Sequence, residues 1–436
     1  MITITAAVVT LGCRLNQADS SILSDRLRKA GFQIVGEDNE DSPNLIVINS
    51  CAVTATAARK TRQTLASLRR KHPYAYIVLT GCAAEISEDT VDSSDYDLLL
   101  THTNKSDLEA KLERRFNINP PKSAHNVLSD DKLVFTEGAY SFYPFKTRAN
   151  LKIQEGCNNF CSYCIVPHVR GRERSRDPQE TIQDFQQLIE QGFREIVITG
   201  VNVCNYQAGG LNIVGLLREL LKVKGDYRIR LSSTEPGPMV TELVDLIAET
   251  PQLCNFLHLP LQAGNDAILK AMGRKYTCKE YKKMVDYARS RIDGVHIGSD
   301  WIIGFPGETQ KHFEDACEFI KSMKFSNLHV FPFSPRKGTP AATMSGKLPM
   351  EEMMQRLETA KTIKNQAISD FTHSMIGREE VVLVERQCSE TAYEGFSENY
   401  SRIRFRSKDN VLGQFCRIHV TTISEETMML AGKQIL

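Results

Sequence analysis

The run Gly156-Cys157-Asn158-Asn159-Phe160-Cys161-Ser162-Tyr163-Cys164 places three cysteines within eight residues, in the spacing CxxxCxxC. Three thiolates can hold three irons of a [4Fe–4S] cluster and leave the fourth iron open to a small ligand. The strand-like run Leu151–Gln154 comes just before this loop. The sequence therefore predicts a reactive iron–sulfur site at the end of a strand.

Two other roles for these cysteines are open. Structural zinc needs four ligands, and His168 would have to complete a Cys3His set from beyond Pro167. A disulfide is disfavoured because no signal peptide and no membrane-spanning apolar stretch is visible, which predicts a cytoplasmic chain with reduced thiols and no membrane partner. Clustered cysteines in such surroundings are usually metal ligands or catalytic groups, so we favour iron–sulfur.

Length and charge give weaker indications. A chain of 436 residues predicts two or three domains, and 41% hydrophobic with 25% charged residues is typical of a soluble globular protein. The net charge of +1 gives no global argument for a nucleic-acid partner. Three local basic runs raise the odds of a polyanion partner. They contain Arg59, Lys60, Arg62, Arg69, Arg70 and Lys71; then Arg170, Arg172, Arg174 and Arg176; then Arg402, Arg404, Arg406 and Lys408.

Three further cysteines occupy equivalent places in the N-terminal segment, where strand-like and helical runs alternate as in α/β domains. Cys13, Cys51 and Cys82 each follow a strand-like run and precede a predicted helix. Open α/β sheets bind ligands at that edge, and helix N-termini stabilise thiolates. Although a single such cysteine would be read as a core residue, three equivalent placements favour a second metal cluster. The other six cysteines show no ligand spacing, with Cys204 kept as a site-proximal candidate.

The middle of the chain repeats a strand–helix pattern six times. Strand-like runs lie at Leu151–Gln154, Glu195–Thr199, Arg228–Ser232, Phe256–Leu261, Val295–Ile303 and Asn327–Phe333. Parallel βα units of this kind form barrels of the TIM type, and six units predict a partial (β/α)6 barrel. Loops rich in Gly, Ser, Asn and Glu follow the strands and suit a polar, adenosine-containing ligand at the rim.

Together with the cysteine motifs, the sequence resembles the radical SAM methylthiotransferase family over essentially the whole chain. The matching pieces are Leu11–Gln17, Asn49–Thr54, Thr80–Ala83, Gln154–Arg176, Leu257–Gly264 and Gly304–Glu308. The segments Cys13–Gln17 and Asn49–Thr54 resemble the MtaB type most. Ala263 and Ser50 stand where Ser and Thr are common in the family.

The resemblance implies an N-terminal α/β domain over 1–130, a radical SAM barrel over 143–372 and a TRAM domain, a small RNA-binding β-barrel, over 374–436. It implies two [4Fe–4S] clusters, one held by Cys157, Cys161 and Cys164, the other by Cys13, Cys51 and Cys82. It also implies S-adenosylmethionine, for which rim position suggests contacts from Asn202, Ser233, Glu235, Gln262 and Gly304.

The implied reaction is a methylthio transfer to C2 of N6-threonylcarbamoyladenosine next to the tRNA anticodon. One S-adenosylmethionine would give a 5′-deoxyadenosyl radical that takes hydrogen from C2, and a second would methylate a sulfur at the other cluster. A tRNA anticodon loop, a one-electron reductant and a sulfur donor are the implied partners. The expected RNA contacts are Arg170, Arg172, Arg174, Arg176, Arg402, Arg404 and Arg406.

Three alternatives remain at this point. Two are enzymes that methylthiolate isopentenyl-adenosine in tRNA or an aspartate of a ribosomal protein. The third is a non-catalytic RNA-binding iron–sulfur protein. The intact CxxxCxxC motif and the loop Gly304–Glu308 disfavour the third, since a simple binder needs no cofactor rim.

Overall fold

The computed structural model describes residues 4–37, 42–89, 91–102, 104–118, 134–135 and 147–435, with the backbone alone at 87–89, 106, 134 and 135. The expected domain boundaries at residues 130 and 143 lie outside the described residues. Within this part of the chain, no helix has both the length and the apolar character needed to cross a membrane.

The N-terminal domain is a parallel five-stranded sheet with helices on both faces. Its elements are β1 (Thr5–Thr10), α1 (Arg14–Lys29), β2 (Gln33–Ile34), β3 (Leu45–Ser50), α2 (Ala55–Lys71), β4 (Tyr76–Gly81), β5 (Leu98–Leu100) and α3 (Leu108–Phe116). The strand order is β2-β1-β3-β4-β5. Alternate residues of β3 face opposite sides, so Leu45 and Val47 pack with α1, whereas Ile46 and Ile48 pack with α2. Continuous apolar strands of this kind are expected when both faces are covered.

The central domain has the six parallel strands expected from the sequence, in two three-stranded sheets ordered β7-β10-β13 and β14-β15-β16. The predicted partial barrel is thus confirmed. Its strands, with five short additional ones, are β6 (Val134–Phe135), β7 (Arg148–Lys152), β8 (Gln154–Glu155), β9 (Arg174–Arg176), β10 (Glu195–Thr199), β11 (Gln207–Ala208), β12 (Leu211–Asn212), β13 (Arg228–Leu231), β14 (Phe256–His258), β15 (His296–Ile303) and β16 (Asn327–Pro332).

Helices cover the outside of this barrel. They are α4 (Val166–Val169), α5 (Pro178–Glu190), α6 (Ile213–Leu220), α7 (Met239–Glu249), α8 (Asp266–Ala271), α9 (Cys278–Arg291), α10 (Gln310–Met323), α11 (Pro340–Thr343) and α12 (Met350–Ser374). Trp301 of β15 is fully buried and stacks on Phe313 of α10, with ring centroids 5.7 Å apart. Because strand side chains alternate, the neighbouring residue Asp300 points to the inside of the barrel.

The C-terminal domain is a closed five-stranded barrel, as expected, in the order β17-β18-β19-β21-β20. Its strands are β17 (Glu379–Gln387), β18 (Ala392–Phe396), β19 (Arg402–Arg406), β20 (Phe415–Ser424) and β21 (Met429–Gln434). Ile403 and Phe405 of β19 are buried in the small core. The arginines between them therefore point outward.

Polar side chains join the three domains. The Tyr400 hydroxyl of the C-terminal domain accepts hydrogen bonds from Arg14 at 2.9 Å and from Arg148 at 3.1 Å. Arg14 belongs to α1 and Arg148 to β7, so one hydroxyl contacts both other domains. The guanidinium of Arg230 lies 4.8 Å from the centre of the same ring. Directional contacts of this kind fix how the domains sit against one another.

Candidate active site

The carboxyl edge of the N-terminal sheet carries three cysteines. Cys13, Cys51 and Cys82 follow β1, β3 and β4, which are neighbours in the sheet. The thiol of Cys51 lies within electrostatic range of Cys82 and Cys13, and Cys82 lies within range of Cys13. The structure therefore brings together the cysteines that the sequence places at equivalent strand ends.

Two glycines allow these strand ends to converge. Gly12 has φ +108°, and a Cβ there would lie 2.8 Å from Cβ of Cys51. Gly81 has φ +87°, and a Cβ there would lie 2.5 Å from the backbone oxygen of Ser50. A side chain at either position would force the cysteine loops apart. Asn16 also ties the edge together, because its Nδ2 donates to the Ser50 oxygen at 2.9 Å.

The second triad lies in the loop that follows β7 and β8. Cys161 is buried, while Cys157 and Cys164 are half-buried. The backbone N–H of Asn159 points to Sγ of Cys157 at 3.4 Å, and the N–H of Cys164 donates to the Cys161 oxygen at 3.0 Å. Burial raises the pKa of Cys164 to about 12, so its thiolate needs a compensating positive charge.

The spacing of the thiols bears on which metal they suit. Four ligands around one zinc ion, with Zn–S bonds of about 2.3 Å, would bring sulfurs within about 3.8 Å of one another. Among the described residues, the one set of three His, Cys, Asp or Glu side chains with ligand atoms all within 4.8 Å contains no cysteine. His168, the fourth ligand that zinc would require, is exposed on α4. The two triads therefore fit a multinuclear cluster better than a mononuclear zinc ion.

Arg170 lies beside the N-terminal triad, although it belongs to the central domain. Its side chain is 3% exposed, and its guanidinium interacts with the thiol of Cys82. Burial alone would lower the pKa of Arg170, but Cys82, Asp19 and Glu155 hold it well above its usual range. A permanent cation at this place offsets the negative charge of thiolate ligands.

A buried ion-pair network holds Arg170 in position. Its Nη1 lies 2.9 Å from Glu155 and its Nη2 lies 3.2 Å from Asp19 of α1. Lys152 bridges the same two carboxylates at 2.8 and 2.9 Å. Burial raises the pKa of Asp19, but Lys105, Lys152 and Arg170 outweigh it and hold that pKa well below its usual range. The network therefore joins the two cysteine loops across the domain interface.

Arg274 has the corresponding place beside the CxxxCxxC loop. Its Nη1 lies 3.5 Å from Sγ of Cys161, and its guanidinium forms an ion pair with Glu235. Its Nε donates to the Tyr276 hydroxyl at 2.8 Å. Nothing in the sequence predicted this role for Arg274. It lies over one hundred residues after the cysteines and outside the three basic runs.

The rim residues expected to hold S-adenosylmethionine differ in what surrounds them. Asn202 is 3% exposed, and both its Oδ1 and its Nδ2 are buried without a hydrogen-bond partner in the described structure. Leaving such an amide unsatisfied costs about 1–3 kcal/mol per polar group, so a polar ligand fits here. Burial raises the pKa of Glu235, and Arg274 opposes the rise. Ser233 is half-buried in the loop that follows β13, two residues before Glu235.

Gln262 and Gly304 lie at the ends of β14 and β15 in left-handed conformations, with φ +73° at each. The backbone of Gln262 forms a single parallel β-bridge with that of Trp301, which fixes Gln262 at the barrel edge. A Cβ on Gly304 would collide with the side chain of Met353 of α12. Packing against that helix accounts for the glycine without any ligand.

The inside of the barrel holds a set of polar residues that was not predicted from the sequence. His258 Nε2 lies 3.3 Å from Oδ1 of Asp300, and His329 Nδ1 lies 3.1 Å from the same oxygen. Burial raises the pKa of Asp300, but the two histidines reverse the effect and hold the carboxyl ionised. Glu235 lies within electrostatic range of Asp300. The sequence did contain a signal for this set, because each of the strands β14, β15 and β16 carries at least one histidine or aspartate among its apolar residues.

The arginine run after the cysteine loop corrects one expectation. Arg170 and Arg176 are buried, and Nη2 of Arg176 lies 2.5 Å from Asp184. Expecting these two to bind RNA was wrong, because their guanidinium groups are enclosed in the protein and paired with carboxylates. Arg172 is exposed over the ring of Phe160, 4.3 Å from its centre, and Arg174 is half-buried.

The C-terminal arginines lie on a surface, as expected. Arg402, Arg404 and Arg406 alternate with buried residues along β19 and are exposed. Arg402 and Arg404 both contact the carboxylate of Glu394. Each of these two keeps 46% of its side-chain surface accessible, so they remain available to a polyanion.

Two family models match the chain in the regions of the two triads. Residues 151–320 match the radical SAM superfamily, and residues 5–101 match the uncharacterized protein family UPF0004. The first range contains the CxxxCxxC loop and most of the barrel strands. The second contains Cys13, Cys51 and Cys82.

Curated relatives are similar over nearly the full chain. A threonylcarbamoyladenosine tRNA methylthiotransferase MtaB of Thermotoga maritima is 34% identical, over 97% of this chain and 95% of the relative. The protein of the same name from Bacillus subtilis is 33% identical over 95% and 93%. A tRNA-2-methylthio-N(6)-dimethylallyladenosine synthase of Moorella thermoacetica is also 33% identical, over 99% and 98%.

Among solved structures, the radical S-adenosylmethionine methyltransferase TsrM of Kitasatospora setae has a TM-score of 0.57 at 15% identity. The match covers 78% of this chain and 77% of that one. This likeness concerns the fold. The full-length relatives, the two family models and the two cysteine triads agree with the resemblance seen in the sequence, and the chain belongs to the radical SAM methylthiotransferase family.

Proposed function

We propose that this enzyme transfers a methylthio group to C2 of N6-threonylcarbamoyladenosine next to the anticodon of tRNA, using two [4Fe–4S] clusters and two molecules of S-adenosylmethionine. The observation that carries the proposal is the joining of the two cysteine triads through Arg170, which contacts Cys82 and extends from the loop of Cys157–Cys164. Two metal sites held in one rigid frame suit a reaction that generates a radical at one site and takes sulfur from the other.

Each triad has its own task in this proposal. Cys157, Cys161 and Cys164 would hold the cluster that faces S-adenosylmethionine, and Arg274 would stabilise the thiolate of Cys161. Cys13, Cys51 and Cys82 would hold the second cluster, with Arg170 as the nearby cation. When bound, these cofactors supply the electron, the radical and the methylated sulfur.

The remaining tasks of the chain are binding and orientation. Asn202 would hydrogen-bond S-adenosylmethionine through its two unpartnered atoms, with Ser233, Glu235, Gln262 and Gly304 as further rim candidates. The target base must leave its stacked loop to reach a site inside the protein, as other modified bases do.

The exposed arginines would hold the tRNA backbone through salt-dependent contacts. The candidates are Arg172, Arg174, Arg402, Arg404 and Arg406. A soluble one-electron reductant and a sulfur donor complete the reaction, and we propose a cytoplasmic location for it.

The division of labour is tested with reconstituted protein under anaerobic conditions. We expect Cys161→Ala to abolish both 5′-deoxyadenosine formation and methylthio transfer. We expect Cys51→Ala to retain 5′-deoxyadenosine formation but to lose transfer. Bound iron should fall from about eight to about four per chain in each variant, because each cluster carries four irons.

Cys388→Ala is the matched control, because Cys388 is exposed on the C-terminal barrel and outside both triads. It should keep the full iron content and both activities. An equal loss of 5′-deoxyadenosine in Cys51→Ala and Cys161→Ala would contradict the division of labour.

The substrate is tested separately by mass spectrometry of nucleosides from a strain that lacks the protein. The methylthio form of N6-threonylcarbamoyladenosine should disappear and return with the wild-type chain. Loss of the methylthio form of isopentenyl-adenosine instead would support the second tRNA candidate, for which the Moorella relative is the specific precedent.

A further inference from the structure

A cavity of about 440 Å³ lies between the N-terminal and central domains. This volume is in the range of small-molecule sites. Its walls come from α2, from the turn after β4, from the loop that follows β16 and from the residue after Cys164. The apolar part of the lining consists of Ala55, Ala58, Ile86, Ile165 and Gly338, and the cationic part consists of Arg62, Arg336 and Lys337.

The cavity adjoins both cysteine triads. Ile165 follows Cys164 directly, and it packs in one apolar cluster with Ala58 and Cys82. Arg336 lies within electrostatic range of Cys51. The backbone N–H of Ala55 donates to Oγ of Ser334 at 3.1 Å, which closes the loop after β16 against α2. A group in this cavity therefore lies beside the space that separates the two triads.

The charge in the cavity has one sign. All three charged residues of its described lining are cations, and none is an acid. Nε of Arg336 is buried and has no hydrogen-bond partner in the described part of the chain. A buried donor in that state is costly, so an anionic oxygen at this place would be bound strongly.

We propose that this cavity binds the carboxylate of the threonylcarbamoyl group, with Arg336 as the main contact. The alanine and isoleucine side chains of the lining would pack against the rest of the threonylcarbamoyl group. The inference rests on the proposed function and adds the basis of its specificity. Threonylcarbamoyl carries a carboxylate and a hydroxyl, whereas dimethylallyl is an apolar hydrocarbon of similar length. The hydrocarbon would leave the guanidinium desolvated and unpaired, which discriminates strongly against it.

The preference is measured as binding by the full-length, reconstituted chain. The ligands are three anticodon stem-loop RNAs that differ only at N6 of the target adenosine: threonylcarbamoyl, dimethylallyl or unmodified. A charged hydrogen bond predicts that the wild type binds the threonylcarbamoyl RNA roughly 10- to 100-fold more tightly than the unmodified RNA. Arg336→Gln should reduce this ratio to within about 3-fold, and Arg336→Lys should retain part of it.

Arg59→Gln is the matched control, because Arg59 is exposed on the same helix and does not line the cavity. It should leave the ratio between the three RNAs unchanged, because an exposed cation outside the cavity does not contact the N6 substituent. Iron content and 5′-deoxyadenosine formation by Arg336→Gln show whether that variant is folded, and Arg62→Gln provides a second test of the ratio.

The possible results separate the two proposals. An unchanged ratio in folded Arg336→Gln and in Arg62→Gln, with all RNAs weakened alike, would overturn the carboxylate site and leave the proposed substrate standing. Tighter wild-type binding of the dimethylallyl RNA would overturn the proposed substrate and the carboxylate site together. A ratio lost in Arg336→Gln but kept in Arg59→Gln would support both.

Discussion

Replacing Arg170 by methionine removes a buried cation that two carboxylates share. Arg170 contacts Glu155 at 2.9 Å and Asp19 at 3.2 Å, and its Nη2 donates to Asn16 Oδ1 at 2.5 Å. Without it, Lys152 is the remaining fully buried cation beside both carboxylates. Deleting one partner of a buried ion pair typically costs 3–5 kcal/mol, so we expect about that loss in the free energy of unfolding at pH 8.

Arg172→Met is the control, since the exposed Arg172 mainly covers the ring of Phe160, a contact of about 0.5–1 kcal/mol. Urea denaturation of the iron-free chain can be followed through Trp301, the single tryptophan, which is buried between β15 and α10. Because the chain has three domains, the Trp301 transition is analysed alone and its reversibility is checked.

The pH dependence gives a further test of the same reasoning. Loss of Arg170 raises the pKa values of Asp19 and Glu155, so the variant can protonate one of them in mild acid. The difference between Arg170→Met and wild type should therefore be smaller at pH 5 than at pH 8. Equal costs for the Arg170 and Arg172 variants, or a difference independent of pH, would refute the buried-network explanation.

Three other changes have equally definite outcomes. Asn202→Ala should weaken S-adenosylmethionine binding roughly 10-fold by calorimetry, because it removes two unpartnered polar atoms, while Asn205→Ala on the exposed side of that loop should not. Gly81→Ala should lower bound iron to about four per chain, because its Cβ would meet the β3 backbone; Gly31→Ala, at φ +99° in open space, should keep about eight. Burial raises the pKa of Glu380 in the folded chain to about 7. The contribution of its protonated form to the free energy of unfolding is therefore fully present below pH 4.5 and is lost as the pH rises through 7. Glu380→Gln should thus be up to about 3 kcal/mol more stable than wild type at pH 8 and nearly equal at pH 4.5, measured by urea denaturation.

The sequence predicted the parts of this molecule that depend on local periodicity. Each of the six parallel strands of the central barrel overlaps a strand-like run of the sequence, and the three N-terminal cysteines stand at the same point of the strand–helix alternation. Parallel strands carry their C-terminal ends to one edge, so convergence of Cys13, Cys51 and Cys82 followed from the pattern alone.

The same periodicity could not predict which residues pair with the buried charged side chains. Arg170 looked like a member of an exposed basic run, because nothing near it in the sequence shows that Asp19 would approach from another domain. Arg176 looked the same, although its partner Asp184 lies eight residues further along the same domain. Arg274 and Asp300 were missed because their charged partners lie on other strands and loops and come close only when the partial barrel folds. The outward direction of the β19 arginines agrees with strand alternation, since strand periodicity fixes which face a side chain takes.

Part of the interface between the first two domains is a buried ion-pair network, where apolar side chains would give comparable or greater stability. Replacing buried ion pairs by well-packed hydrophobic residues is often neutral or stabilising, so stability does not explain Lys152, Asp19, Glu155 and Arg170. Ion pairs have fixed distances and directions, whereas apolar surfaces can slide past each other at little cost. The network thus fixes the position of the N-terminal sheet edge relative to the barrel loop. In the proposed reaction, the radical arises at one triad and the sulfur comes from the other. That reaction would require a constant separation, and we propose this requirement as the reason for the buried ion pairs.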